Sequence, residues 1–75
     1  MTKLPVLSGH ELIKILKKAG FKPIRQKGSH IILVKESESK KALVVPNHHE
    51  IDTGTLIEII RQAGMKREDF EKLLK

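Results

Sequence analysis

Two stretches of this chain are written in the same grammar, and they limit its fold more than any other feature. Ile13-Lys14-Ile15-Leu16-Lys17-Lys18-Ala19-Gly20 and Ile57-Glu58-Ile59-Ile60-Arg61-Gln62-Ala63-Gly64 share an apolar stripe at helical spacing, a small penultimate residue and a glycine stop. Glycine closes a helix because it enters the left-handed conformation at little steric cost. The segment between them has a different period, so the pattern means two helices built alike, not a tandem array. Ser8-Gly9-His10-Glu11 has the spacing of a capping box and starts the first helix, with Leu7 and Leu12 placed for a hydrophobic staple. Leu12, Ile13, Leu16 and Ala19 then form one side, and Lys14, Lys17 and Lys18 the other. The second helix starts near Asp52 or Thr53. Its cap stays open, because Thr55 with Glu58 also makes a capping-box pattern. A short last helix, about Arg67 to Leu74, puts Phe70, Leu73 and Leu74 on one side.

The middle reads as strands. Lys22 to Lys27 is interrupted early by Pro23, which suits an edge position. Ser29 to Lys35 is β-branched and apolar, and Ala42 to Val45 is a third such run before Pro46. With Gly28 and the polar stretch Glu36-Ser37-Glu38-Ser39-Lys40 as turns, the three strands form an antiparallel meander. The expected class is α+β, with helices packed on one face of a three-stranded sheet. Ile31-Ile32-Leu33-Val34 is apolar throughout, so both faces of the middle strand call for burial, and helices on one side cover only one of them. The other face is either a tolerated exposed patch or the seat of a second polypeptide. We favour a partner.

At 75 residues the chain is expected to form a single domain, 1–75, with a thin core, and with no cysteine it has no disulfide to reinforce it. The longest apolar run has four residues, far short of a membrane span. With no signal-peptide pattern at the start, a reducing cytoplasm is the expected compartment. The net charge of +6 is unevenly placed. Lys14, Lys17, Lys18, Lys22, Arg25, Lys27 and Lys35 fall in a stretch without one acidic residue, and the rest of the chain is nearly neutral. Such a stretch is the footprint of a polyanion binder, nucleic acid first, or else a solvated face that keeps the protein soluble. The absence of Trp and Tyr argues against modules that stack bases on an aromatic sheet. There is no phosphate-binding glycine loop. His48-His49-Glu50 with Asp52 offers metal-ligand residue types, yet neighbours in a strand point to opposite faces, and no third ligand converges with them.

The histidines remain. If Lys27-Gly28 is a two-residue turn, Arg25 lies across from His30. If residues 36–40 form the second turn, His30 pairs near Pro46, and strand alternation puts His48 on the same face. Arg25, His30 and His48 then meet at one end of the sheet. Cleavage of RNA through its own 2′-hydroxyl needs a base, an acid and cations around phosphorus, and histidine serves as either base or acid near neutral pH. Arg25 and Lys27 suit the phosphate. The plain alternative is a surface histidine in a basic neighbourhood.

Four elements then occur in order: Leu12-Ile13 through Lys18-Ala19-Gly20-Phe21, Arg25-Gln26-Lys27-Gly28-Ser29-His30, Val45-Pro46-Asn47-His48, and Gly54-Thr55-Leu56 through Arg61-Gln62-Ala63-Gly64. In these the chain resembles the HicA (YcfA-like) toxins of bacterial toxin-antitoxin systems. The resemblance implies a fold like that of double-stranded-RNA-binding domains. It also implies a metal-independent mRNA interferase without a cofactor, which arrests translation and growth until a HicB-type antitoxin neutralises it. The essential histidine of that family, which follows Gly-Ser, maps onto His30. Many members carry a second histidine directly after it. This chain has Ile31 there, which we read as packing, and His48 is then the better second proton-transfer group. The basic residues Lys14, Lys17, Lys18, Lys22, Arg25, Lys27 and Lys35 are the expected RNA-binding set. Two other readings compete: a non-catalytic RNA-binding module of the same fold, which needs cations but no histidine, and a protein-interaction subunit that neither binds nor cleaves RNA.

Overall fold

Ser8 begins the first helix in the way its sequence requires. In the computed structural model, which describes residues 4–35 and 38–74, α1 spans Gly9–Lys18. The Glu11 amide donates to Ser8 Oγ at 3.1 Å, and the Ser8 amide donates to Glu11 Oε1 at 2.9 Å. These bonds to Ser8, the backbone one foremost, hold the Glu11 carboxyl below the usual carboxylate range. Gly20, at φ 95°, turns the chain out of the helix.

The chain then lays down β1 (Phe21–Lys27), β2 (His30–Lys35) and β3 (Glu38–Pro46), an antiparallel meander with β2 in the centre. Next come α2 (Thr53–Gln62) and the short α3 (Arg67–Leu73). Alternation along the strands decides where the core lies. Phe21, Ile31, Leu33, Leu43 and Val45 point to one face and are buried. They share a cluster with Leu12, Ile13, Ile15 and Leu16 of α1, Leu56, Ile59, Ile60 and Ala63 of α2, and Phe70 of α3. All three helices therefore serve the same face of the sheet, the α+β arrangement of the double-stranded-RNA-binding type. Along the middle strand Ile32 and Val34, which face the other way, are only half-buried.

Several expectations about the strands need correction. The β1–β2 turn is Gly28-Ser29, not Lys27-Gly28, and Lys27 pairs with His30. Gly28 has φ 59° at the first central position, where a type II′ hairpin demands glycine. Arg25 consequently pairs with Ile32 and not with His30. The strands begin at Phe21 and His30 rather than at Lys22 and Ser29. Glu38 to Lys40, expected in a turn, belong to β3; Glu36 and Ser37 lie outside the described residues. Only Glu38 of these pairs with β2, opposite Lys35; the register shifts between Val34 and Lys35, and residues 39–41 of the β3 backbone have no partner in the ladder. β1 is an edge strand as Pro23 implied, and the register shifts between Pro23 and Arg25, leaving Ile24 in a bulge. Asp52 settles the open cap of α2: its Oδ2 accepts from the Thr55 amide at 3.2 Å and its Oδ1 from Thr55 Oγ1 at 2.7 Å. Glu58 instead pairs with Arg61 one turn on.

Candidate active site

The turn at Gly28-Ser29 fixes what His30 faces. Opposed residues in an antiparallel pair share a face. The row Lys27, His30, Pro46 therefore lies on the side of the sheet away from the helices, followed by Arg25, Ile32, Val44 and then Lys22, Val34, Ala42. His30 is exposed, whereas Ile31 beside it is buried in the core. Its neighbour across β1 is Lys27, and Arg25 stands diagonally on the same face. The expected meeting of Arg25 and His30 thus survives on one face, because moving the turn by one residue displaces the strands by two positions and alternation is preserved.

The other border of His30 is a strap of irregular chain. The Asn47 amide donates to the Ser29 carbonyl at 2.6 Å, which extends the ladder one residue past β3. The Gly9 amide donates to the His48 carbonyl at 2.9 Å, and the Ile51 amide to the Leu7 carbonyl at 2.8 Å. Gly9 is essential to this approach. A Cβ there would stand 2.5 Å from the Pro46 carbonyl oxygen and 3.0 Å from Asn47 Cα. Residues 46–48 are clamped between the hairpin turn and the first residue of α1. His48 is beyond the end of β3, so strand alternation does not place it; its backbone is held by the bond from Gly9. His48 and His49 are exposed, and His10 follows Gly9 directly, so the four histidines of the chain gather around this end of the sheet.

The basic stretch does not form one surface. Lys22, Arg25 and Lys27 share the open face with His30. Lys14 and Lys17 are exposed on α1, in the layer behind the sheet. Lys18 Nζ donates to the Leu73 carbonyl at 3.3 Å and ties α1 to the end of α3. Lys35 faces the helical side, its Nζ 5.9 Å from the centre of the Phe21 ring, within cation-π range. Among the described residues no group of three or more His, Cys, Asp or Glu is placed to hold a metal ion. Neither of two surface clefts, one at Leu4, Ile57, Ile60 and Met65 and one along Val44, Asp52, Thr55 and Ile59, includes His30. An open face suits a polymeric substrate that lies across it.

Lys27 as the direct neighbour of His30 was missed by sequence reasoning, although Gly-Ser is itself a hairpin pair. Gly9 and Asn47 had no local signal, since their roles depend on contacts with distant segments.

The family model of the HicA toxins of bacterial toxin-antitoxin systems matches residues 9–65, from the start of α1 to just past α2. The chain belongs to the HicA toxin family. No curated protein and no solved structure matches it. As a HicA-family toxin it is one half of a toxin-antitoxin system, and the matched span contains His30, the row of cations beside it and the clamped segment at Pro46 to His48. No helix among the described residues is long and apolar enough to cross a membrane.

Proposed function

We propose that this HicA-family chain is a metal-independent endoribonuclease that cleaves mRNA, with His30 as its catalytic residue. The observation that carries the reading is an exposed imidazole on the open sheet face, with Lys27 directly across from it and Arg25 diagonal to it. One imidazole takes the proton from a ribose 2′-hydroxyl, and the 2′-oxygen attacks the adjacent phosphorus. A second group protonates the departing 5′-oxygen, and the cations offset the charge that builds on the phosphoryl oxygens. The products are a 2′,3′-cyclic phosphate and a 5′-hydroxyl end. His30 is the first of these groups and His48 the second. Lys22, Arg25 and Lys27 hold the reacting strand; Lys14 and Lys17 extend the positive field around the flank. A HicB-type antitoxin covers His30 and the half-buried Ile32 and Val34 beside it, silencing the enzyme in the cytoplasm, and its release halts translation and growth.

The test compares wild type with His30→Ala under tightly controlled expression. Wild type is expected to stop growth and degrade mRNA, leaving fragments whose 5′ ends accept phosphate from a kinase without prior phosphatase treatment. The variant is expected to do neither while still binding RNA. Equal toxicity of the two would remove His30 from the chemistry.

A further inference from the structure

The hairpin turn in front of His30 leaves one backbone donor open, and the direction of that donor is fixed. Gly28 sits at φ 59° and no described residue other than glycine has a positive φ, so Ser29, second in the turn, is on the negative side. That combination is a type II′ turn, since type I′ needs a positive φ at both positions. With those dihedrals the carbonyl of the first central residue stands away from the side chains of the flanking pair, here Lys27 and His30. A side-chain bond reports the same direction independently. Gln26 pairs with the buried Ile31 and so leaves β1 on the helical face. From that side its Nε2 donates to the Gly28 carbonyl at 3.1 Å. The carbonyl and N–H of a trans peptide point opposite ways, and no peptide bond among the described residues is cis. The Ser29 N–H is therefore turned to the open face, beside the side chains of Lys27 and His30. The Ser29 carbonyl takes the Asn47 amide, but the Ser29 amide itself has no acceptor among the described residues.

We propose that the Ser29 backbone amide is a phosphate donor of this site: it donates to a non-bridging oxygen of the RNA phosphate on which His30 acts. The inference rests on the reading of His30 as the catalytic residue. As the 2′-oxygen adds to phosphorus, negative charge grows on the non-bridging oxygens until the bond to the 5′-oxygen breaks, and a donor already aimed at them needs no reorganisation at that moment. Lys27 and Arg25 bring full charges, but on long side chains that lose rotamer freedom when they bind. The amide is fixed beforehand. Both carbonyls of the turn are tied, that of Gly28 by Gln26 and that of Ser29 by Asn47, so the peptide between them is held with its N–H outward. The amide and the two cations thus divide the work: the side chains attract the strand, and the amide sets where one phosphate stops relative to the imidazole.

A chain of 75 residues is within reach of synthesis by segment ligation, so the Ser29 N–H can be replaced by oxygen in a backbone ester with every side chain kept. No bond of the fold uses that N–H, and the urea midpoint of the ester is expected to match wild type. Its kcat on RNA is expected to fall about tenfold with KM little changed, less than the roughly 10²–10³ of an enclosed oxyanion hole because this face is open to water. A second reading needs no turnover. RNA with 2′-fluoro in place of each 2′-hydroxyl keeps the phosphates and lacks the nucleophile; in NMR spectra of wild type and of His30→Ala it is expected to move the Ser29 amide proton downfield, further than any amide proton of β1 or β2. An ester with wild-type kcat overturns the proposal, as does a Ser29 amide that the 2′-fluoro RNA leaves unmoved. A lowered urea midpoint of the ester also overturns it, since the N–H would then serve the fold. Failure of the catalytic reading looks different: a wild type that does not cleave, with its Ser29 amide still shifted, removes catalysis by His30 and leaves the amide as a phosphate donor.

Discussion

Gly9 shows how a single missing side chain can position a site. The helix that follows it needs no glycine at that point, and Ser8 already satisfies the cap. The reason for glycine lies in the Pro46 carbonyl, too near to admit a Cβ. Gly9→Ala is expected to force the clamped segment away from α1, lowering stability by about 1–3 kcal/mol, the usual range for overpacking. Urea unfolding would read that loss, and an RNA-cleavage assay should show activity falling while RNA binding persists, since Lys22, Arg25 and Lys27 are untouched. Asp52 gives a second expectation at this scale. Its bonds to Thr55, the side-chain one foremost, lower its carboxyl below the usual range, and Glu11 and Glu58 are lowered by their own partners. A carboxyl lowered in the folded state binds fewer protons than in the unfolded chain. Its contribution is therefore complete above the ordinary carboxylate range and is lost as pH falls through the depressed folded value. The urea midpoint should drop on acidification below about pH 4. Asp52→Asn, which still caps but does not titrate, should flatten that slope.

The hairpin is the element on which site reasoning turned. Composition located all three strands and all three helices, because apolar periodicity and glycine stops are local signals. Register was less legible. The turn moved by one residue because the left-handed position fell first in the pair, and this moved Lys27 rather than Arg25 opposite His30. Residues 38–40 read as a loop on polarity, yet β3 continues through them, since a strand at the edge of a sheet tolerates polar side chains. The basic stretch was legible as charge and not as surface, because its members sit on α1, β1 and β2, which face different ways. That division has a measurable consequence. Lys27→Ala should weaken RNA binding and reduce the slope of log affinity against log salt by about 0.7, the release expected for one phosphate contact on a single strand. Lys18→Ala, whose amine is bonded to the Leu73 carbonyl, should leave that slope unchanged.

At the scale of the molecule, stability comes from one apolar layer between a three-stranded sheet and three helices, without a disulfide. α3 is short, yet it delivers Phe70, fully buried, to that layer. Phe70→Ala is expected to cost about 3–5 kcal/mol, a large share of the stability of a domain this small, and the shift in urea midpoint measures it. The same layer explains why the open face can be exposed at all: Ile31 and Leu33 anchor the strand from behind, leaving His30 free in front. The clamp at Gly9, Ser29 and Asn47 also sets an order of events during synthesis. The surroundings of His30 draw on the start, the middle and the later part of the chain, and the Leu7–Ile51 bridge that secures them is among the contacts most distant in sequence. A nascent chain that has not yet emerged past Ile51 cannot complete them, so the surroundings of His30 assemble only after that residue has left the exit tunnel.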